Sequence, residues 1–355
     1  MEIPVRYVTI IDDIVSRTLS YVEKGRVPAP TLIKGGAYSG VNVIVHEIYK
    51  KLSIQKDKIL NVKFLRLRLS DSSLTNEILR ELSLLGRSSK KPSIFFIDGI
   101  DRVLNLPARN LKKEAKTGRN SKAIEIIEES HKLRKILLEN VNKFSIISSA
   151  GPSSHFMEDP DLPFYKFFNE TTVNAASAEE SVKYFFGLIK KNNSFDSKSS
   201  FIDELGEISF EWPYIITGGN WLLLQRLYQI LLNNIKMNAA STSRDENSTN
   251  PLDEYFLQLQ PMFLLEMSSY SREERRFIEN AALLGVNFKL KNLVFENGNS
   301  SLIAKQLVNK GIIDKIENSV GGFTFSHLAL RTLLRYFTGA NLIDVFSNDN
   351  LRGFS

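Results

Sequence analysis

The stretch TLIKGGAYSGVNVIVHEIYK, Thr31 to Lys50, runs from a short apolar strand through glycines into an amphipathic segment. Val43, Ile44, Ile48 and Tyr49 recur at helical spacing, so the segment predicts strand, loop, helix. Between strand and helix, Gly35-Gly36-Ala37-Tyr38-Ser39-Gly40-Val41-Asn42 has the spacing of a phosphate-binding loop, G-x-x-x-x-G-K-[ST]. Such loops work because glycines let successive backbone N–H groups converge on phosphate oxygens at a helix N-terminus. Lysine then adds a charge, and Ser or Thr a Mg²⁺ ligand. Here Val41 stands for the lysine and Asn42 for the hydroxyl. A charge-assisted hydrogen bond is worth roughly 1.5–3 kcal/mol, so one missing lysine weakens binding by about 10- to 150-fold. The competing reading is a Gly-rich strand-to-helix turn with no ligand.

The next landmark downstream is Pro92-Ser93-Ile94-Phe95-Phe96-Ile97-Asp98-Gly99-Ile100-Asp101. Four consecutive apolar residues ending in Asp describe a buried central strand that delivers a carboxylate at its C-terminal edge. In P-loop proteins that Asp helps to hold Mg²⁺, which makes Asp98 the candidate metal residue. The alternative is a strand-end Asp that caps a turn. Phe144 to Ala150 (FSIISSA) is a third buried strand ending in small hydroxyls, with Ser148 and Ser149 as candidates for a polar contact to nucleotide. Helices are predicted over 5–24, 74–85 (with Asp71, Ser72 or Ser73 as N-cap) and 124–140, and a further strand over 62–69. Strand and helix alternate as in a parallel sheet with helices on both faces.

Residues 105–123 carry Arg109, Lys112, Lys113, Lys116, Arg119 and Lys122 against the single acid Glu114. A solvated loop is one reading of this polar run and a phosphate-backbone contact the other. From Ala178 the chain becomes helical, through 179–191 and the segment opened by Thr217-Gly218-Gly219-Asn220. Asn238 to Asn250 reads as a linker. The last third spells a winged helix. Helices are expected over Arg272–Leu284 and Leu302–Lys310, with wing strands at 311–316 and 322–325, turning around Asn318 and Gly321. Lys305 and Lys310 fall on the second of these helices, the candidate recognition helix. The predicted boundaries are 1–170 for a P-loop α/β domain, 171–237 for a helical lid, 238–260 for linker and connecting helix, 261–340 for a winged helix and 341–355 for a tail.

Composition narrows the class. The chain has 355 residues, 43% hydrophobic and 24% charged, as in ordinary globular proteins. No apolar run approaches the ~20 residues needed to cross a bilayer. The N-terminus MEIPVRYVTIIDD lacks the apolar core of a signal peptide. Without cysteine there are no disulfides or thiolate metal sites, and the four histidines are scattered. A net charge of +6 is compatible with a polyanionic partner without demanding one.

Together the glycine loop, FFIDGID, the polar-ended strand, the TGGN lid and the terminal winged helix resemble the AAA+/STAND class of P-loop ATPases, including archaeal ATPases and origin-recognition subunits. A narrower resemblance over Phe95–Ser149 (FFIDGID, NLKKEAK, SHKLRKILLEN, SIISSA) is to the death-associated GTP-binding family of the mitochondrial small ribosomal subunit, whose P-loop lysine and hydroxyl are missing here. The resemblance implies a P-loop NTPase-like α/β fold with a helical lid and a C-terminal winged helix. It also implies ATP or GTP at Gly35, Gly36, Ser39, Gly40, Val41, Asn42, Asp98 and Ser148. In AAA+ enzymes the position after Asp98 often holds the glutamate that orients water; here it is Gly99. With lysine, hydroxyl and glutamate all replaced, nucleotide is expected to bind weakly, Mg²⁺ to lack a ligand, and hydrolysis to be weak or lost. The expected role is a structural or regulatory subunit of a nucleoprotein assembly, with other protein subunits and RNA or DNA as partners. Contacts to nucleic acid are expected from Lys112, Lys113, Lys116, Arg119, Lys305 and Lys310. The expected compartment is intracellular: mitochondrial or nuclear in a eukaryote, cytoplasmic in an archaeon. Two rivals remain open. One is a working ATP-dependent switch in which Lys34 supplies the charge and Asn42 a carbonyl; the other is a DNA-binding regulator.

Overall fold

The computed structural model describes residues 3–36, 39–54, 59–65, 80–81, 84, 91–101, 121–151, 157, 160, 162–191, 211–240, 251–268, 270–293, 300–316, 319–326 and 328–337. The chain forms two compact units, Met1–Asn174 and Ala175–Ser355. Most of the expected helix at 74–85 and the tail 341–355 lie outside the described residues.

In the first unit, helix α1 (Val5–Glu23) buries Tyr7, Ile11, Ile14, Thr18 and Val22. Their spacing of three and four puts them on one face, which packs on α2 (Val41–Ser53). Strands β1 (Thr31–Gly35), β2 (Asn61–Leu65), β3 (Ser93–Ile97), β4 (Phe144–Ala150) and β5 (Asn169–Val173) form one sheet in the order β2-β3-β4-β1-β5, with every pair parallel. Helix α3 (Ser121–Glu139) connects β3 to β4. Every residue of β3 and β4 is buried. A strand covered on both faces reads as an unbroken apolar run, so SIFFI shows no alternation. Its two faces nonetheless differ. Phe95 and Ile97 pack with Leu133 and Leu137 of α3, whereas Phe96 meets Tyr49 of α2 edge-on, with ring centroids 5.4 Å apart. Strand β5 was not among the sequence expectations; as an exposed edge, its NETTV carries almost no apolar signal.

The second unit opens with α4 (Ala178–Lys191), α5 (Trp212–Thr217) and α6 (Trp221–Ala240), then α7 (Pro251–Ser268). Helix α8 (Arg272–Leu284), strand β6 (Asn287–Lys289), helix α9 (Ser300–Asn309), strands β7 (Ile313–Lys315) and β8 (Gly322–Phe325), and α10 (Leu328–Phe337) build the winged helix. Its sheet is antiparallel in the order β6-β8-β7. Ser271 caps α8: its Oγ accepts from Glu274 N at 3.1 Å while Glu274 Oε2 accepts from Ser271 N at 2.8 Å. This reciprocal pair satisfies two helix-end donors. All residues of α10 from Leu328 to Arg335 are buried, against α5, α7 and α8. Thr332 Oγ1 donates to the Ile215 carbonyl at 3.1 Å, and Tyr336 stacks on Phe256 at 4.3 Å. Lid helices and winged helix, separated in the sequence by 238–260, therefore share α10 as a common core.

The capping carboxylate of Glu274, itself buried, also takes both hydrogen bonds of Lys310, at 2.7 and 2.8 Å. Glu274→Ala therefore removes a cap and a charge-assisted bond together and should lower unfolding stability by about 2–4 kcal/mol. Lys305→Ala, on the exposed face of α9, should change it by less than about 0.5 kcal/mol. Urea denaturation of the full chain reads both; equal effects would mean that Glu274 is not the joint of this unit.

Candidate nucleotide-binding site

The parallel register gathers the functional candidates at one edge. Ile33 of β1 lies beside Ser149 of β4, and Ile97 of β3 beside Ser148. The chain thus delivers Gly35, Asp98 and Ser149 together at the carboxyl ends of the strands, where open α/β sheets bind their ligands.

Gly40, the residue before α2, has φ 77° and ψ 15°, left-handed values that glycine adopts without strain. Ser39 N donates to Gly36 O at 3.0 Å, and Ile44 N to Gly40 O at 3.0 Å. The backbone thus turns tightly into the helix and leaves the amides of its first turn pointing outward. Gly35 is fixed by close approach: a Cβ there would collide with Ser39 Oγ and come within 3.1 Å of the Val173 carbonyl. Ser39 itself is buried. Val41, where a lysine would stand, is only 8% exposed and belongs to the core. Asn42 is exposed and Gly36 faces open space. Ala37 and Tyr38 lie outside the described residues.

Across the edge, Ser149 Oγ donates to Asp98 Oδ1 at 2.6 Å and accepts from Gly99 N at 2.7 Å. The Ile100 amide donates to the Ser149 carbonyl at 3.1 Å, and the Gly151 amide to Asp101 Oδ2 at 2.9 Å. Ser148, the expected contact, is turned away. Its hydroxyl is fully buried and donates to Ile97 O at 2.7 Å, inside the sheet. The reason is parity. Ile146 and Ala150 belong to the α3 face, so Ser148 does too, and Ser149 takes the opposite face with Phe96 and Asp98.

Parity also decides Lys34. It shares the face of Leu32 and Ala150, away from Asp98, and its ammonium donates to Glu170 of β5 at 2.8 Å. Lys34 is therefore not placed to act as the missing loop lysine. A cavity of about 330 Å³ lined by Tyr49, Asn61, Lys63, Phe64 and Ser93 sits at the opposite, amino end of β2 and β3, remote from this chemistry. Among the described residues no group of three or more His, Asp or Glu side chains converges as a metal cage.

Of the cations expected to meet nucleic acid, Lys112, Lys113, Lys116 and Arg119 lie outside the described residues. Lys305 is exposed on α9. Lys310 is not on that helix but just beyond it. Its ammonium is held by Glu274 and lies 5.1 Å from the centre of the Tyr270 ring. A backbone phosphate would have to displace that internal pair.

The order and direction of the strands, the loop entering α2 and the strand-end Asp98 define a P-loop α/β fold of the AAA+ type, followed by a winged helix. No protein-family model matches the chain, and no curated protein matches it either. Among solved structures, the ORC2 protein of Aeropyrum pernix (ADPNP-ADP complexes) is similar at 12% identity, over 96% of this chain and 94% of that one, with a TM-score of 0.55. At that identity the likeness is one of fold. The ORC1 protein of the same organism, in complex with DNA, covers 94% of this chain at 12% identity and a TM-score of 0.47.

Geometry rather than chemistry should govern the stability of this loop. Gly40→Val forces a β-branched residue into a left-handed backbone and should cost about 1–3 kcal/mol, as should Gly35→Ala through its collision with Ser39 and Val173. Asn42→Ala, at an exposed position, should stay within about 0.5 kcal/mol of wild type. Melting temperatures check this ranking; an Asn42→Ala loss larger than that of Gly40→Val would contradict the turn.

Proposed function

We propose that the chain is a nucleotide-binding but non-hydrolysing, or weakly hydrolysing, P-loop subunit that serves as a structural or regulatory component of a nucleic-acid-associated assembly. The observation that carries this reading is the contrast at the sheet edge. The left-handed turn at Gly40 opens α2 near the strand end that carries Asp98 and Ser149, which favours a phosphate at this edge, while Val41 is packed into the core where a charge would be needed. Phosphate would be held by the backbone N–H groups that open α2, which need no lysine. Asp98, with Oδ1 engaged by Ser149, offers Oδ2 to a Mg²⁺ ion; Asn42 has no hydroxyl to offer it. The fold likeness to an ORC2 protein solved with ADPNP and ADP supports nucleotide at this edge. These donors do not distinguish ATP from GTP, because they meet phosphate oxygens common to both.

The rival switch reading requires a cation near the loop, and Lys34 is committed to Glu170 on the other face. The nucleic-acid part of the proposal rests on the winged helix. The terminal winged helix also favours an origin-recognition-like assembly over a ribosomal one.

Purified protein should hydrolyse ATP or GTP no faster than Asp98→Asn, a variant that keeps an acceptor for Ser149 while removing the charge. Phosphate release with ATP or GTP, with and without Mg²⁺, reads this. A turnover that Asp98→Asn abolishes would falsify the non-hydrolysing reading, whereas weak equilibrium binding of labelled nucleotide is expected.

Binding to RNA or DNA should weaken with salt at a log–log slope of about −0.7 to −0.9 per phosphate contact. Lys112, Lys113 and Lys116 changed together to Glu should flatten that slope across sequences, and Lys305→Glu should lower affinity if α9 faces the nucleic acid. Lys310→Glu should act mainly by unfolding the winged helix, through Glu274. Anisotropy at several salt concentrations, with melting curves alongside, separates these effects. Variants indistinguishable from wild type would make the partner a protein.

A further inference from the structure

Helix α10 carries two arginines one turn apart, Arg331 and Arg335, at 2% and 7% exposure. Arg331 is among the largest fully buried side chains of the protein, and its Nε and Nη2 meet neither solvent nor a hydrogen-bond acceptor. Burial, with Arg335 nearby, pushes its pKa down to about 10, so it remains a cation at neutral pH. Four acids on the helices packed around α10 bond to other groups. Asp253 accepts from Tyr336, Glu254 from Asn234 and Gln258, Glu266 from Tyr270, and Glu274 from Lys310.

A buried guanidinium without a counter-charge is a costly arrangement, and a guanidinium presents a planar fork of donors suited to oxyanions. We propose that Arg331 forms an anion site in the core of the second unit for a phosphate-type oxyanion, free or as the terminal group of a small phosphorylated ligand. This site is separate from the glycine loop and does not depend on nucleotide binding there. Because α10 is the core shared by lid helices and winged helix, an anion bound at Arg331 would tighten the packing of one on the other.

The test compares thermal unfolding of the full chain in sodium phosphate and in sodium chloride at matched ionic strength. Phosphate at about 100 times its dissociation constant should raise the wild-type midpoint by roughly 5–10 °C. Arg331→Met should keep only the general salt effect that phosphate exerts on any protein. In chloride, Arg331→Met should melt above wild type, because an uncompensated buried charge is gone. An ADP arm shows whether the oxyanion is free or carried by a nucleotide; loss of either response in Arg331→Met supports the site. If both proteins respond alike, or if Arg331→Met melts lower in chloride, the proposal is overturned. Should Arg331→Met not fold, calorimetric titration of wild type and Arg331→Lys with phosphate decides. Saturable binding weakened in the Lys variant supports the site; no saturable binding by wild type overturns it.

Discussion

The hydroxyl of Ser149 stands between the Gly99 amide and the Asp98 carboxylate and so ties the ends of the two central strands together. Strands β3 and β4 are buried over their whole length, so the polar groups where they end need partners inside the protein. Each unsatisfied buried group costs about 1–3 kcal/mol. Accepting from Gly99 leaves the serine proton only one direction, toward Asp98 Oδ1. The carboxylate is thereby held at the sheet edge by the fold itself. An aspartate at this position consequently says less about catalysis than its place in the motif suggests, since it also serves as the acceptor for Ser149 where the two central strands end.

The spacing of the glycines was readable from the chain because each answers a local demand: a left-handed backbone at Gly40 and a close approach at Gly35. The choice between Ser148 and Ser149 was not. It depends on which face of β4 a side chain occupies, and FSIISSA, buried on both faces, has no alternation to show it. The same parity, fixed only by the sheet register, turns Lys34 toward Glu170 and away from Asp98. Edge strand β5 is illegible in the sequence for the opposite reason, as its mostly exposed residues have no apolar pattern.

In the second unit the local signals again came through and the distant ones did not. Ser271 and Glu274 have the spacing of a capping box, and α8 keeps its expected bounds. That Lys310, 36 residues further on, closes onto the same carboxylate is a tertiary fact. It converts a lysine that reads as a phosphate contact into a structural cation. What remains of positive charge on α9 is Lys305, beside the exposed Leu302. A helix with that face has little electrostatic reach on its own, so any strong polyanion binding would need cations from elsewhere in the chain.

Val41 is bound to the fold in the same way. Burying a valine side chain stabilises by about 1.5–3 kcal/mol relative to leaving it exposed, and Val41 is buried at the start of α2. A lysine there would forfeit that packing and bring an ammonium into the core unless phosphate were already present to receive it. Restoring the charge alone would therefore destabilise the loop before it improved binding. A side chain at Gly99 would be strained, since its φ of 69° is a left-handed value, whereas exposed Asn42 could change with little effect on the fold. On the reading proposed above, phosphate at this loop would be attracted by the amide dipoles that open α2 and not by a side-chain charge, so binding there would be separable from hydrolysis.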